Sequence, residues 1–506
     1  MSSPFRLSRV PAGRQRYRPI HSINFRNLAR DPYVVAVTGV LVAAAALRFS
    51  TLSLQSYYTD EATTVWLLQQ SPVDMVHGIA RTQSSPPLYF GVARVWSGLF
   101  GTSEVGLRSL SALLGTATVL VAYLAGARLL SRRAGLVVAA LTAVSPFMVW
   151  YSQEARNYAL FTFLATLSIY LYACLRGNTR PALVVAWAAV CEAAIWTHHF
   201  AVYLVATEAL LLLLFVSRAR RAIAAASVAI TLAAVPVAAL AIHQAGALDW
   251  LAQESSLRDR VFGAGQQFLA GHYQLPHPRL VAALLAVVVV LLLAGARSRA
   301  ITSGLAAVAV FGAALFTLPL VAAALGKDYW LPRNVMPAWI CAAMIVAVAV
   351  ATARPRWLTW LLATALVLLS LVPTLETFAR PEFQRANWRG LARCLGAPRS
   401  DRVVVLPSEA AALALGLYRP GMPRLGNQAK LVDEVDVISP ANFNFRVPAQ
   451  FVSARASCGA TLIPFNRYRA QKEIPVSTLD FLRPSRSSDA QVRIDPLSAE
   501  MESGGT

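Results

Sequence analysis

The sequence predicts an all-α polytopic membrane protein with about eleven transmembrane helices and a small C-terminal extracytoplasmic α/β domain. Composition and segment length support this fold class. Hydrophobic residues make up 56% of the 506 residues and charged residues only 14%, whereas soluble proteins carry about 25% charged residues. Many Ala-, Leu- and Val-rich segments approach the roughly 20 residues that span a bilayer as a helix. They do not alternate apolar with polar residues, which disfavours a transmembrane β-barrel.

Apolar segments can be assigned as spans from the N-terminus onward, each ending where the hydrophobic stretch ends. The predicted spans are 33–51, 108–128, 134–150, 157–175, 181–197, 200–217, 222–242, 279–296, 300–325, 335–352 and 357–375. A shorter apolar stretch at 88–100 stays outside this count. We expect no cleavable signal peptide, because the N-terminus is polar and basic and no small-residue cleavage site follows the first span.

Arginine clusters set the predicted orientation. The N-terminal segment is arginine-rich, and so is every second junction between spans. Cytoplasmic loops carry such an excess of Arg and Lys, so these segments are placed in the cytoplasm. The junction clusters are Arg128, Arg132 and Arg133; Arg176 and Arg180; Arg218, Arg220 and Arg221; Arg297 and Arg299; Arg354 and Arg356. The net charge of +21 is therefore a topology signal, and the lipid bilayer rather than nucleic acid is the expected partner.

The same alternation sends the chemically reactive side chains to the extracytoplasmic face. A long first outer loop, 52–107, contains Asp60 and Glu61 just beyond the first span. The other outer junctions bring a Glu and an Arg in 151–158, a pair of histidines in 197–199 and two cations in 327–334. Acids, histidines, aromatic residues and a few cations gathered on one face predict an active site at the outer membrane surface.

Four parts follow from this pattern: a cytoplasmic basic segment 1–30, a transmembrane catalytic domain 31–375, an extracytoplasmic domain 376–483 and a tail 484–506. In the third part the composition changes from Ala/Leu-rich to mixed. Residues 401–406 and 459–465 are typical of short strands, and 408–417 of a helix. The Ser-rich, polar tail is expected to be disordered.

The five cysteines divide by predicted location. Cys174, Cys191 and Cys341 fall within or at the ends of spans, where cysteine acts as a small apolar residue. Cys394 and Cys458 belong to the outer domain, and an extracytoplasmic compartment permits a disulfide. The sequence leaves open whether these two pair.

Several motifs resemble one family of membrane enzymes. The Asp60-Glu61 pair, Pro-Pro-Leu-Tyr at 86–89, Tyr-Ser-Gln-Glu-Ala-Arg-Asn-Tyr at 151–158 and Thr-His-His-Phe at 197–200 occur in order and on one side. Together with Pro-Arg-Asn at 332–334 and the segment 381–389, they resemble the polytopic glycosyltransferases of the C fold (GT-C). The closer resemblance is to the bacterial branch related to dolichyl-phosphate-mannose protein mannosyltransferases and aminoarabinose transferases, and it covers about residues 30–420.

This resemblance implies an inverting glycosyltransferase of the cell membrane that serves cell-envelope assembly or protein glycosylation. Such an enzyme moves a sugar from a polyprenyl-phosphate donor to a hydroxyl of a glycan, lipid or protein. The phosphate leaves as a stable anion, so the chemistry requires a base for the incoming hydroxyl and cations for the phosphate, but no general acid. The family pattern makes Asp60 the candidate base and Glu61 its orienting neighbour.

The phosphate is expected to be bound by cations at the outer face. Arg333 is the first candidate, because a planar guanidinium matches phosphate oxygens, and Lys327 is the second. Glu154, Arg156 and Tyr158 share one motif and are further candidates for donor binding. Arg156 either pairs with an acid of the first loop or anchors its helix at the membrane interface.

His198 and His199 end a predicted span. They are candidate hydrogen-bond donors at the interface, and, with Asp60 or Glu154, candidate ligands of a divalent cation. No other cofactor is expected from the sequence.

Two other classes of function stay open at this stage. A flippase or transporter of lipid-linked sugars would also be polytopic and basic on its cytoplasmic side, but transporters place ionisable groups near the midplane or in repeated halves. A non-catalytic scaffold for envelope assembly would not need Asp60.

Overall fold

A computed structural model describes residues 30–245, 255–271, 278–296, 302–423, 429–438, 447–454, 463 and 465–477. Several sequence predictions fall outside these ranges: residues 1–29 of the basic segment, Arg297, Arg299, Cys458, most of the strand predicted at 459–465, and the tail. The described part is a bundle of helices followed by a small domain that contains a four-stranded sheet.

The helices occur in the order that the apolar segments predict. The first group is α1 Pro32–Phe49, α2 Thr59–Gln69, α3 Pro72–Thr82, α4 Leu88–Phe100, α5 Glu104–Leu129, α6 Arg132–Val144, α7 Pro146–Tyr151, α8 Tyr158–Leu175, α9 Pro181–Ile195 and α10 Ala201–Phe215. The second group is α11 Arg220–Ala233, α12 Val235–His243, α13 Leu257–Ala270, α14 Pro278–Ala296, α15 Ser303–Ala324, α16 Met336–Thr352 and α17 Arg356–Ala379.

Eight helical segments in the described ranges are long and apolar enough to cross a membrane, and α9 and α10 are shorter apolar helices. The prediction of an all-helical, multi-pass membrane domain is therefore confirmed, while the count of eleven spans stays a prediction. α4 has only 13 residues, which is less than the roughly 20 needed for a span.

Two of the predicted spans are divided by proline. The span predicted at 134–150 is α6 and α7, with Ser145 between them accepting a hydrogen bond from the Met148 N–H as the cap of α7. Proline lacks an N–H, so it begins a helix more readily than it continues one. Pro146 begins α7, and Pro236 stands in the first turn of α12, where the span predicted at 222–242 divides.

The centre of the bundle is formed by α5, α8 and α16, which are mostly buried, whereas α1 and α14 lie at the periphery. α5 and α6 approach closely at two glycines. A Cβ on Gly135 would lie 2.6 Å from the Tyr123 carbonyl oxygen, and one on Gly126 would lie 3.0 Å from the Gly135 Cα. Small residues permit such close helix contact in membranes.

The arginine-rich junctions meet at one end of the bundle. Arg132 donates to Asp31 at 2.5 Å, and Arg176 donates to the Ser303 hydroxyl at 2.6 Å. We call the opposite end, where α2 begins and where α7, α9 and α17 end, the site end.

Arg48 ties α1 to the site end. Its side chain is fully buried and donates to the Thr142 and Ala143 carbonyl oxygens, each at 2.9 Å, and to the Ser152 hydroxyl at 3.2 Å. These carbonyls belong to the last turn of α6, where a cation is favourable. The arginine thereby connects α1 and α6 to the loop that begins at residue 152.

The C-terminal domain contains α18 Trp388–Leu395, β1 Arg402–Val405, α19 Glu409–Tyr418, β2 Lys430–Ile438, β3 Val452–Ala454 and β4 Phe465–Val476. The strand order is β1-β2-β4-β3; β1 pairs with β2 in parallel, and the other pairs are antiparallel. β1 and α19 confirm the predictions at 401–406 and 408–417. The strand predicted at 459–465 lies mostly outside the described residues and stays a prediction; β4 begins at Phe465 and extends through a charged stretch.

The sheet carries buried charge. Glu434 and Asp436 on β2 are buried between Arg402 on β1 and two arginines of β4, with Arg467 Nε 2.7 Å from Asp436 and Arg469 Nε 2.7 Å from Glu434. Cys394 is disulfide-bonded, and the three cysteines in or beside the spans are free.

Candidate active site

An open cavity lies at the site end of the bundle. Its wall combines the first loop, the α7–α8 and α9–α10 junctions, the end of α12 and the segment before α16. The lining residues are Ser84, Ser85, Arg156, Asn157, Tyr158, His198, His199, Phe200, Ala241, Gln244, Ala245, Tyr329, Leu331, Arg333 and Asn334. The junctions that the sequence assigned to one face therefore surround one space.

Asp60 lies beside this cavity as the second residue of α2 and is half-buried. Its backbone carbonyl accepts a hydrogen bond from Arg156 Nη1 at 3.4 Å. Its charge acts on Arg156 and Arg333, while no described residue donates a hydrogen bond to its carboxylate. The Asp60 oxygens are therefore available to a hydroxyl bound in the cavity.

Glu61, the next residue, differs from Asp60 because its carboxylate is fully buried and hydrogen-bonded. Its fully buried carboxylate receives Arg108 Nε at 2.7 Å and Nη2 at 2.6 Å, together with the N–H groups of Ala155 at 2.8 Å and Tyr58 at 3.0 Å. Burial opposes the charge, but the Arg108 guanidinium outweighs burial and lowers the pKa of Glu61 to about 2. Four donors fill the roughly four acceptor positions of a carboxylate, so this geometry supports orientation rather than proton transfer.

Glu154 is the third acid of the site. It is buried on the α7–α8 junction, and its Oε2 lies 3.3 Å from Arg385 Nη2. Burial is the main influence and raises the pKa of Glu154, while Arg385 acts against this increase and Glu61 adds to it. Glu154 does not line the cavity, but its charge acts on Arg156 and Arg333, which do.

Arg156 and Arg333 have unused hydrogen-bonding capacity. In each, Nε is buried and has no hydrogen-bond partner among the described residues, and the same holds for the Ser85 hydroxyl. Arg156 Nη1 is bound to Gln83 Oε1 at 2.6 Å, which fixes its direction. Arg333 lies over the Tyr158 ring at 5.7 Å. A buried donor without a partner is costly, so these three donors indicate a polar, anion-binding cavity.

Lys327 is exposed and is not part of the cavity wall, although it was the second candidate for phosphate binding. Tyr158 does line the cavity and also contacts Tyr151 edge-on at 5.1 Å. Of the two cations predicted in the segment before α16, only Arg333 reaches the cavity wall.

Both histidines line the cavity and are hydrogen-bonded. His198 Nε2 lies 3.3 Å from Asn334 Oδ1, and its Nδ1 accepts from the Phe200 N–H at 3.2 Å. Because Asn334 Nδ2 donates to the Tyr329 carbonyl, its Oδ1 is the acceptor and His198 carries its proton on Nε2. Burial, with a smaller contribution from His199, lowers the pKa of His198 to about 3, so its ring is neutral at physiological pH.

His199 Nε2 lies 3.2 Å from Gln244 Oε1, and burial lowers the pKa of His199 as well. Within the described ranges, no group of three or more His, Cys, Asp or Glu side chains could hold a metal ion. The arrangement of these residues does not fit a cation site, and the divalent cation stays a prediction.

Arg108 and Gln83 were not singled out from the sequence. Arg108 is an arginine within a predicted span and therefore outside the arginine-rich junctions, which is an available signal, since intramembrane charges are usually functional or paired. Gln83 carries no comparable signal, because it lies in a polar loop.

Comparisons with known proteins place this geometry in a known fold. Residues 84–243 match the family model described as dolichyl-phosphate-mannose-protein mannosyltransferase. An uncharacterized protein from Aquifex aeolicus is 29% identical over 119 residues, which are 23% of this chain and 24% of that protein. The matched part is thus about a quarter of the length of this curated relative.

Solved structures resemble a larger part of the chain. ArnT from Cupriavidus metallidurans in the apo state has a TM-score of 0.52 at 14% identity, covering 87% of this chain and 98% of ArnT. The same protein bound to undecaprenyl phosphate gives a TM-score of 0.51 at 14% identity, over 86% and 97%. An Archaeoglobus fulgidus oligosaccharyltransferase in complex with Zn and sulfate gives 0.51 at 12% identity, over 80% and 68%. The chain is therefore a multi-pass membrane protein of the GT-C type, as the motifs implied.

Proposed function

We propose that this protein is a membrane glycosyltransferase that moves a sugar from a polyprenyl-phosphate donor to an acceptor hydroxyl, with inversion, at the extracytoplasmic face of the cell membrane. The observation that carries the proposal is the position of Asp60, whose carboxylate receives no hydrogen bond from a described residue, beside two cavity arginines whose buried Nε atoms have no partner in the described ranges. The GT-C fold and the match to the mannosyltransferase family support the same reaction class.

The donor phosphate binds Arg156 and Arg333 in this proposal. Two guanidinium groups and the Ser85 hydroxyl satisfy the phosphate oxygens and neutralise the charge that develops as the phosphate leaves. The similar ArnT structure contains undecaprenyl phosphate, and a phosphate is the kind of group that two cavity arginines would recognise. The apolar and aromatic wall, including Phe200 and Tyr329, suits the isoprenoid next to the phosphate.

Asp60 acts as the general base. It takes the proton of the acceptor hydroxyl while the acceptor oxygen forms a bond to the anomeric carbon. The bond from that carbon to the phosphate oxygen breaks, and its electron pair leaves with the phosphate. A single displacement from the face opposite the leaving group inverts the anomeric centre. Glu61 and Arg108 hold the first turn of α2, so that Asp60 remains in place without itself being paired.

The acceptor is a hydroxyl of a glycan, a lipid or a protein in this proposal, and the pathway is cell-envelope glycoconjugate assembly or protein glycosylation. Mass spectrometry of envelope glycolipids and glycoproteins, with and without the gene, identifies both products directly. A sugar that disappears from one species identifies the acceptor and the transferred sugar together.

The test of the proposal is Asp60→Asn. Asparagine keeps size and most of the hydrogen-bonding capacity but cannot accept the proton, so single-turnover transfer should fall by roughly a hundredfold or more. Binding of undecaprenyl phosphate should survive, because the arginines are unchanged. The measurement is sugar transfer from a panel of synthetic polyprenyl-phosphate sugars to an envelope lipid extract, with monodispersity checked for each protein.

The matched control is Asp74→Asn. Asp74 is an exposed acid of the same loop, hydrogen-bonded to Ser71 in the first turn of α3, and its loss should leave transfer unchanged. A folded Asp60→Asn protein that transfers sugar at the parent rate would exclude Asp60 as the base. Binding of the lipid without any transfer by the parent would instead favour a flippase or a scaffold.

A further inference from the structure

The linker 380–387, which connects α17 to the C-terminal domain, packs against the chain that leads into α2. Two hydrogen bonds to Ser56 show this packing most directly. The Ser56 hydroxyl donates to the Ala386 carbonyl at 3.0 Å and accepts from the Trp388 N–H at 3.0 Å. Ser56 lies four residues before Asp60. The linker therefore fixes the chain that leads into the first turn of α2.

Arg385 is the member of this linker that contacts the α7–α8 junction. Its backbone N–H donates to Gln55 Oε1 at 2.8 Å. Its guanidinium lies 4.1 Å from the Trp150 ring centroid and donates to the Gln153 carbonyl at 3.3 Å and to Glu154 Oε2 at 3.3 Å. The side chains of Arg385 and Glu154 are 4% and 6% exposed, so the pair is shielded from water and from salt.

Glu154 needs such a cation to remain charged. Burial raises its pKa, and the neighbouring carboxylates act in the same direction: Glu61 and Asp60 repel it, while Arg385 and Arg333 stabilise it. Arg156 is the remaining charged group that Glu154 influences. Among these cations, only Arg385 forms an ion pair with Glu154 in the described ranges.

We propose that Arg385, from the linker that begins the C-terminal domain, is a positioning residue that keeps Glu154 ionised between Asp60 and the two cavity arginines. The effect of Arg385 on sugar transfer rests on the proposed function. Paired with Arg385, the ionised Glu154 adds no net charge beside Arg156 and Arg333, the two cations assigned to the phosphate, whereas an ionised Glu154 without Arg385 would add a negative charge there. The C-terminal domain is then an electrostatic part of the active site.

Infrared spectroscopy tests the charge state without any substrate. In the parent protein at pH 7, Glu154→Gln should remove a carboxylate band from the difference spectrum. Arg385→Gln should produce a protonated carboxylic acid band, and the double variant Arg385→Gln/Glu154→Gln should lack it. Removal of a protonated acid band by Glu154→Gln alone would overturn the proposal, and this arm remains decisive if Arg385→Gln fails to fold.

Binding of undecaprenyl phosphate between pH 6 and 9 tests the effect on the cavity. In Arg385→Gln, Glu154 should lose its proton at a higher pH than in the parent, and once it is ionised the uncompensated charge should weaken phosphate binding by roughly tenfold relative to the parent. The double variant should follow the parent, because the titrating group is gone. The titration of the phosphate itself is common to all the proteins and cancels in the comparison.

Arg389→Gln is the matched control. Arg389 lies four residues farther along, ties the same domain to the start of α5 through Glu104 at 2.6 Å, and forms no ion pair with Glu154 in the described ranges. A general loosening of the domain would affect both variants, whereas an electrostatic role affects only Arg385→Gln. A parent protein that binds no undecaprenyl phosphate would contradict the proposed function, while the infrared result would still decide the role of Arg385.

Discussion

At the scale of single residues, the choice between Arg333 and Lys327 shows how burial distinguishes two cations six residues apart. Lys327 is exposed to solvent, where an ammonium is already well hydrated and gains little from a phosphate. Arg333 lines the cavity with a buried Nε that lacks a partner. A phosphate would supply that partner, so the structure favours Arg333 strongly.

Arg333→Ala should therefore weaken binding of undecaprenyl phosphate by about 1.5–3 kcal/mol, the range for a hydrogen bond to a charged group. Arg333→Lys should bind with intermediate affinity, because lysine keeps the charge but loses the planar fork. Lys327→Ala should bind like the parent. Titration of the purified proteins with undecaprenyl phosphate in nanodiscs measures all three, and equal affinities throughout would remove Arg333 from the site.

The family resemblance assigns Asp60 and Glu61 their separate roles, but the two residues themselves carry no local signal that distinguishes them. They are adjacent and chemically alike, and the difference between them is the burial of one and its contact with Arg108, which lies 47 residues further along the chain. In the same way, Arg385 lies in the segment 381–389, which contributes to the family resemblance. Its partner Glu154, however, lies 231 residues earlier in the chain. Such roles depend on tertiary contacts and are not encoded locally.

At the scale of an element, α2 is held at its first turn by the Glu61–Arg108 pair. Arg108 also donates to the carbonyl oxygens of Leu52, Gln55 and Ser56 at 2.7–2.9 Å. One arginine of α5 thus organises both the approach to α2 and its start. Removal of Glu61 would leave a fully buried guanidinium with unpaired charge, which is strongly destabilising.

Glu61→Gln should consequently lower the free energy of unfolding by roughly 3–5 kcal/mol, the range for one partner of a buried pair, whereas Asp60→Asn should leave it nearly unchanged.

The contribution of Glu61 to the free energy of unfolding also depends on pH. Its folded-state pKa of about 2 lies below the usual 4.5, so the stabilisation is complete above about 4.5 and is lost as the pH falls towards 2. Thermal unfolding of both variants and of the parent, from neutral to acidic pH, measures these differences in stability. A Glu61→Gln protein as stable as the parent would contradict the structural role of Glu61.

Element types were predictable where the hydrophobic pattern was long and uninterrupted. The apolar segments predict the membrane helices because their residues face lipid or other helices on every side. β2 and β4 escaped prediction because their acids and arginines satisfy one another across the sheet, as in the Arg467–Asp436 contact. Such sequences resemble a solvated loop until the partner strand is known.

At the scale of the whole molecule, the arginine clusters predict which side of the membrane each end of the bundle faces. The clusters described in the structure meet at the end of the bundle opposite the cavity, as Arg132 and Arg176 illustrate. If these clusters face the cytoplasm, the cavity, Asp60 and the C-terminal domain must all face outward. A polyprenyl-phosphate donor would then be used on the outer leaflet.

Cysteine labelling in intact cells decides this orientation. Ser487→Cys, in the tail after the C-terminal domain, should react with a membrane-impermeant thiol reagent without lysis. Ser217→Cys, exposed at an arginine-rich junction, should react only after lysis, and the parent chain, whose three free cysteines lie within or beside apolar helices, provides the background. The reverse labelling pattern would place Asp60 in the cytoplasm. Transfer from a donor on the outer leaflet would then be impossible, whatever the chemistry of the cavity.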